Sequence, residues 1–348
     1  MGLHNIDQHD INLQSANRQL VAGKDLSREE MQSVMALIMS GQATDAQIGA
    51  FLTALMVKGE SVDEIVGAAT IMRELSAKVT TKSDKIVDSV GTGGDVAKLF
   101  NVSTASALVA AAAGASVGKH GNRAATGNSG SADVLEAAGV NITITPQQVG
   151  QCIDQCSVGF MFAPAHHSAM RYAIGPRKEI GIRTIFNLLG PLTNPADAKF
   201  QLVGVFSQHW VRPIAEVFAE LGSEHTLVVC SDDGLDEISI AADTKVAEYK
   251  NGTFSEYRIG PEQFGIAKSS LESIVVADSN QSLDMIKKAL TGEAGPAHDM
   301  LALNAGATIY AGDLASSIEE GVQIAHEILN NGKGMEKLDH LRVVSNSF

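Results

Sequence analysis

Cysteine is scarce in this chain, with three in 348 residues: Cys152, Cys156 and Cys230. That number cannot build a disulfide framework. Cys152 and Cys156 stand four apart on what reads as one helix, but no neighbouring His or Cys completes a zinc set, so they read as core thiols. Proline is sparse too, at 8 against 33 glycines, in a composition (45% hydrophobic, 19% charged) that belongs to a globular protein. Positive charge is in deficit: 26 Lys and Arg face 40 Asp and Glu, for a formal net charge of −14. This argues against broad binding to nucleic acid or anionic membrane, which calls for a basic face. It leaves room for a phosphate site, which needs only a few local cations. Long apolar runs are missing, since the longest, 105–117, is broken by Ser and Gly and is too short to span a bilayer. The chain does not open on a charged segment followed by an apolar one, and Met1-Gly2 lacks the Ser/Thr of a myristoylation pattern. A cytoplasmic location is the expectation. No repeat, low-complexity tract, Ser/His/Asp triad or Cys/His nucleophile pattern stands out.

What is present begins with helix starts. Residues 1–25 are polar and aperiodic, a loose lead or a late first helix. Three capping boxes follow: Ser27 with Glu30, Thr44 with Gln47, and Ser61 with Glu64. Each opens a run with apolar residues at helical spacing and is separated from the next by a few residues, which predicts a helical unit over 1–83. From residue 84 the texture becomes α/β. Short β-like runs at 85–90, 115–118, 141–143, 158–163, 201–206 and 225–230 alternate with helices. One helix opens at Ser103 or Thr104 and another at Thr145-Pro146, and a hairpin turns about Asn251-Gly252. Helices over 283–290, 299–310 and 317–329 close the chain. The fold class expected is α/β: a small helical N-terminal domain, and a larger α/β domain over 84–348 with a mainly parallel central sheet.

The chemistry concentrates at 88–131. Gly91 through Asp95 (GTGGD) follows a strand but is neither a Walker A loop nor a dinucleotide fingerprint, and alone it reads equally well as a tight turn. Asn101, Val102, Ser103 and Thr104 lie at a helix start, where free N–H groups and two hydroxyls suit an anion. One hydroxyl can also serve Mg²⁺, a hard ion that shares phosphate oxygens. Lys119, His120, Gly121, Asn122 and Arg123 add two cations in a loop that runs to Ser131, although a solvated loop is the plainer reading. Asp236-Glu237 follow a strand and are either a surface acid pair or metal ligands. Arg177 sits in a cation-rich stretch with Arg171, Lys178 and Arg183, near His166 and His167, and a guanidinium there can bind a carboxylate through two parallel hydrogen bonds.

The motifs taken together are DSVGTGGD at 88–95, NVSTA at 101–105, KHGNR at 119–123, GSADVLE at 130–136, GIRTIFNLLGPLTNP at 181–195 and DGLDEIS at 233–239. As a set they closely resemble the anthranilate phosphoribosyltransferase family over nearly the whole chain. The resemblance implies a homodimer of two-domain subunits, with 165–190 returning to the helical domain and the active site between the domains. It also implies a pentosyltransferase of tryptophan biosynthesis that joins anthranilate to 5-phosphoribosyl 1-diphosphate with Mg²⁺. On this resemblance the phosphoribosyl diphosphate is held by Gly91, Gly94, Asp95, Asn101, Val102, Ser103, Thr104, Lys119, His120, Gly121, Asn122, Arg123, Ala124, Ala125, Thr126, Gly127 and Ser131. Anthranilate falls to Gly91, Asn122 and Arg177, and Mg²⁺ to Ser103, Asp236 and Glu237, while His120 and His167 line an access route for the aromatic ring.

Three departures stand out: Thr126-Gly127-Asn128 where the family often has Ser-Ser-Lys, Leu99 at a place often held by a hydroxyl residue, and Ser168 where Pro is frequent. No base is expected, because the attacking aromatic amine is neutral and can lose its proton after attack. Two other readings stay open: a pyrimidine nucleoside phosphorylase, and a non-catalytic paralogue that binds nucleic acid, against which the net charge counts.

Overall fold

The computed structural model describes residues 11–93, 98–124 and 129–348. In chain order, helices α1 (Leu13–Val21), α2 (Arg28–Met39), α3 (Asp45–Lys58) and α4 (Val62–Glu74) precede strand β1 (Ile86–Gly91). Then come α5 (Val102–Ala112), β2 (Ser116–Gly121), α6 (Ser131–Ala137), α7 (Pro146–Cys156), β3 (Val158–Phe162), α8 (Ala163–His166), α9 (Arg171–Ile180) and α10 (Phe186–Leu192). The rest comprises β4 (Phe200–Gly204), α11 (Val211–Glu220), β5 (His225–Ser231), β6 (Thr244–Lys250), β7 (Thr253–Ile259), α12 (Ser279–Leu290), α13 (Pro296–Ala311), α14 (Ile318–Asn330) and α15 (Lys333–Ser345). Among the described residues no helix is long and apolar enough to cross a membrane.

The chain forms two compact units: Met1–Ser76 with His167–Thr193, and Ala77–His166 with Asn194–Phe348. The first is helical. Ser27, Thr44 and Ser61 each cap a helix through the expected box, their side chains accepting the N–H three residues on while that residue's side chain accepts the cap N–H. The chain's lead contains a late helix, α1, capped by Asn12 and Ser15. Met31, Val34, Met35, Ile38, Ile48, Phe51, Leu52, Leu55 and Ile65 are buried. Inside this unit Glu64 is fully buried. It takes the Lys58 ammonium at 2.9 Å and the Leu26 and Ser61 N–H groups, so its charge is paired and hydrogen-bonded.

The first border falls at 76/77, whereas the sequence suggests 83/84. Residues 77–83 are tied into the second unit by hydrogen bonds of Ala77 N–H to His166 O (2.8 Å), Val79 N–H to Pro195 O (3.1 Å) and Lys82 N–H to Asp154 (2.9 Å). The segment returning to the helical unit is 167–193 instead of 165–190, because the His166 ring bonds Ala77 O at 2.8 Å.

The second unit is a seven-stranded sheet in the order β3-β2-β1-β4-β5-β6-β7. The first five strands are parallel and the last two antiparallel, giving the mainly parallel sheet expected. The hairpin turns at Asn251 (φ 47°) and Gly252 (φ 84°), the paired positive angles a two-residue turn requires. Alanine-rich α5 packs against α13, α15 and β1, where its short side chains let helix and sheet approach closely.

Several local expectations need correcting. Asn101, not Ser103 or Thr104, caps α5, its side chain accepting the Thr104 N–H at 3.1 Å. Strand β2 continues through Lys119, His120 and Gly121, which composition alone assigned to a loop. Residues 141–143 form no strand, because Asn141 N–H goes to Ser345 Oγ and the Asn141 side chain caps Thr143, leaving no ladder.

Candidate active site

In a doubly wound sheet, ligands bind beyond the carboxyl ends of the strands, where the strand order reverses. Here the order turns outward in both directions from β1 and β4. The loop after β1 starts at Gly91, and Thr92 ties it to the β4 end: its N–H donates to Gly204 O at 2.9 Å and its hydroxyl accepts the Phe206 N–H at 3.0 Å.

Asp236 lies directly against this loop. Its Oδ2 accepts the Gly93 N–H at 2.7 Å. A Cβ on Gly91 would lie 2.3 Å from that oxygen, and one on Gly204 would lie 1.6 Å from the Asp236 carbonyl oxygen. Only glycine fits at either position: Gly91 leaves room for the Asp236 carboxylate and Gly204 for the Asp236 backbone, so two glycines from separate strands make the seat of one residue. Asp236 and Gly93 of the glycine loop, 143 positions apart, are brought together.

Asn101 gathers the next group. Besides capping α5, its Nδ2 donates to Ser129 O (3.3 Å) and its Oδ1 accepts the Ser131 hydroxyl (3.4 Å). The first-turn N–H groups of Val102 and Ser103 are those a helix start leaves for an anion. Among the described residues the buried hydroxyl oxygens of Thr104 and Ser129 find no hydrogen-bond partner. Polar atoms sealed from water without a partner are costly, and a bound polar ligand would satisfy them.

Lys119 and His120 are buried, at 3% and 4% exposure. Burial pushes the Lys119 ammonium below its usual range, and Asp88 and Glu237 lie close enough to oppose the fall. Burial raises the Asp88 carboxyl, against the pull of Lys119, Asn194 and the His120 N–H. Arg123 is exposed and its guanidinium is occupied: Asp133 holds it at 3.2 Å and Glu136 takes it through both oxygens. Asp133 also accepts the N–H groups of Ala124 and Gly130, each at 3.0 Å, closing the base of that loop. Gly94, Asp95, Ala125, Thr126 and Gly127 lie outside the described residues. So does the Thr126-Gly127-Asn128 departure. Leu99 forms a bridge with Val275.

Arg177 belongs to the other unit, on α9. Its guanidinium lies over the Phe186 ring, 5.0 Å from the centroid. Burial lowers its pKa, and among the described residues no carboxylate pairs with it. His166 is held by Ala77 O, and burial lowers its pKa, so it acts as a structural tie; His167 is likewise buried.

Ser103, Asp236 and Glu237 offer only oxygen donors, which fits a hard cation. Among the described residues no group of three or more His, Cys, Asp or Glu side chains forms a metal cluster. An ion there would therefore complete its shell with water and phosphate oxygens, as Mg²⁺ commonly does.

Residues 83–335 match the α/β domain of a glycosyl transferase family, and 14–76 match that family's helical bundle domain. An anthranilate phosphoribosyltransferase of Ectopseudomonas mendocina is 57% identical over 335 residues, covering 95% of this chain and 96% of its own. The chain belongs to the anthranilate phosphoribosyltransferase family. The crystal structure of the family's Thermus thermophilus enzyme superposes with a TM-score of 0.91 at 39% identity, covering 95% of this chain and 99% of that one. The Saccharomyces cerevisiae enzyme, in complex with its ribosyl diphosphate (PRPP) and Mg, gives 0.88 at 27% identity, with 97% and 98% covered.

Two groups next to the candidate site, Asp88 and Asn194, carry no motif signal of their own. Asp88 opens the DSVGTGGD motif, and an acid in an otherwise apolar buried strand is itself a signal. Asn194 was hidden in a turn-like GPLTNP string, and nothing local tells that its side chain reaches Asp88.

Proposed function

We propose that this protein transfers the phosphoribosyl group of 5-phosphoribosyl 1-diphosphate to the amine of anthranilate, releasing diphosphate, in L-tryptophan biosynthesis. The observation that carries the reading is the seating of Asp236 against Gly91 and Gly93 in a chain so similar to enzymes of that name. In this reading Gly91, Gly94, Asp95, the α5 start from Asn101 to Thr104, the segment from Lys119 to Gly127 and Ser131 hold the phosphoribosyl diphosphate. Ser103, Asp236 and Glu237 hold Mg²⁺, which when bound supplies positive charge against the diphosphate. Arg177 receives the anthranilate carboxylate, with Gly91 and Asn122 as further contacts. Bond breaking at the ribosyl C1 passes through an oxocarbenium-like state, and the chain's part is positioning and electrostatic stabilisation. No residue is assigned as a base, because the amine attacks neutral.

The test is loss of anthranilate fluorescence on mixing protein, anthranilate and ribosyl diphosphate. Loss is expected only when Mg²⁺ and both substrates are present, and no loss at any Mg²⁺ concentration would reject the proposal. The homodimer belongs to the same reading. Val21 (79% exposed) and Val57 (75%) flank an apolar groove in the helical unit lined by Leu20, Ala50 and Ala54, and a second copy is its proposed cover. Sedimentation should then give twice the 36.5 kDa chain mass, and a monomer would remove this part.

A further inference from the structure

Strand β1 pairs with β4 as far as Gly91–Gly204, and β2 pairs with β3 as far as Gly121–Phe162. Between β1 and β2, however, the register ends at Val87–Val117. The two strands therefore separate just before the loops that carry most of the candidate site. Separation inside a buried sheet leaves backbone groups that need partners. Two side chains supply them. Asp88 Oδ1 accepts the His120 N–H at 3.3 Å, and Asn194 Nδ2 donates to Gly118 O at 2.9 Å. The same Asn194 amide donates to Asp88 Oδ2 at 2.7 Å, and its own oxygen accepts the Ala196 N–H at 2.8 Å, fixing which way it faces. On the far side of the same residue, Lys119 Nζ donates to His120 O at 3.0 Å. Asp88, Lys119, His120 and Asn194 are all at least 96% buried, so solvent replaces none of these contacts.

We propose that Asp88 is a positioning residue for the phosphoribosyl diphosphate: with Asn194 it takes the place of the missing β1–β2 ladder, and it holds the His120 backbone, whose carbonyl in turn receives the Lys119 ammonium. This rests on the function proposed above. Asp88 touches no reacting atom and acts through Lys119 and the backbone leading to Gly121 and Asn122. A carboxylate can accept from two donors at once, whereas an amide has one acceptor oxygen. Asp88→Asn therefore forces either the His120 N–H or the Asn194 amide to lose its partner.

The experiment is steady-state kinetics of the full-length protein with Asp88→Asn, Asn194→Ala, Lys119→Met and the Asp88→Asn/Lys119→Met pair. Titration calorimetry with inorganic diphosphate and Mg²⁺ gives a readout independent of turnover. Asp88→Asn and Asn194→Ala should each raise KM for the ribosyl diphosphate about tenfold and weaken diphosphate binding in parallel, while KM for anthranilate moves less than about twofold. On the Lys119→Met background Asp88→Asn should add less than about twofold, since residues acting through one another are not additive. If Asp88→Asn fails to fold, Asn194→Ala alone decides. An unchanged ribosyl diphosphate KM, an equal rise for both substrates, or full additivity with Lys119→Met in an active wild-type background overturns the positioning role alone. A wild-type protein with no activity overturns the proposed function, and this role with it.

Discussion

Gly91→Ala perturbs the contact on which the proposed site depends. The added Cβ would lie 2.3 Å from Asp236 Oδ2, while ordinary contact begins near 3.4 Å, so carboxylate or loop must shift by about 1 Å. The hydrogen bond from Gly93 N–H to that oxygen, now 2.7 Å, does not survive such a shift. A lost hydrogen bond to a charged acceptor costs about 1.5–3 kcal/mol, equivalent to roughly ten- to hundredfold in an equilibrium constant. Because Asp236 is proposed to face the metal and the diphosphate, that loss should appear in KM for the ribosyl diphosphate and in the Mg²⁺ concentration for half-maximal rate. Initial rates of anthranilate fluorescence loss, with each component varied in turn, measure both. Gly204→Ala is the control for global damage. Its Cβ would meet the Asp236 backbone oxygen at 1.6 Å, where no rotamer change gives relief, so that variant should lose melting temperature or fail to fold. If Gly91→Ala keeps both constants within about twofold of wild type while remaining folded, the seat does not matter to the reaction, and the assignment of Asp236 falls.

Three other expectations follow from single observations. Arg177→Ala should raise KM for anthranilate about ten- to hundredfold and leave that for the ribosyl diphosphate unchanged, as loss of a charged hydrogen-bond partner predicts; an unchanged anthranilate KM would remove Arg177 from the site. Burial pushes the Glu248 carboxyl up, but the His225 ring at 3.0 Å, the Tyr310 hydroxyl at 2.7 Å and the Tyr257 hydroxyl at 2.9 Å outweigh it and hold the pKa at about 2, below the usual 4.5. A depressed carboxylate contributes stability above its unfolded pKa and loses it as pH falls through the folded one, here on the order of 3 kcal/mol between pH 4.5 and 2; urea unfolding at several pH values should show that slope in wild type and a flatter one in Glu248→Gln, and parallel curves would refute it. Burial pushes Cys152 up to about 12 and Cys230 to about 11, and raises Cys156 as well, so a thiol reagent at pH 8 should label none of the three in native protein and all three after denaturation.

How much of this was legible in the residues depends on distance along the chain. The capping boxes at Ser27, Thr44, Ser61 and Thr145 were readable because each is settled within four residues. The 141–143 misreading has the opposite origin. Val140, Ile142 and Ile144 alternate inward as a strand would, but the partner of the Asn141 N–H is the Ser345 hydroxyl, 204 positions away, and among the described residues 141–143 pair with no strand. The Gly, Asn and Ser content of 119–131 points to a loop at Lys119, and an ammonium in a buried strand is unfavourable on its own. Its strand position makes sense only with Asp88 and Glu237 beside it, and those come from elsewhere in the chain.

The same reasoning revises how an anion would be held. Composition counted Lys119 and Arg123 as two cations facing the ligand, and the motif resemblance did not separate them. The structure gives them different environments. Arg123 is neutralised by Asp133 and Glu136, and through Asp133 it belongs to the frame that sets where Ala124 and Gly130 place their N–H groups. Lys119 is sealed in, where burial lowers its pKa and the nearby Asp88 and Glu237 carboxyls oppose that fall. On the proposed function, anion binding in the second unit of a chain with net charge −14 would depend on oriented backbone dipoles and one sheltered ammonium, not on a basic surface. Contacts of that kind are buried and short-range, so salt screens them far less than it screens exposed charges. Affinity for the ribosyl diphosphate should accordingly fall only weakly with ionic strength at constant free Mg²⁺, and a steep fall would mean that exposed cations such as Arg123 carry the binding after all.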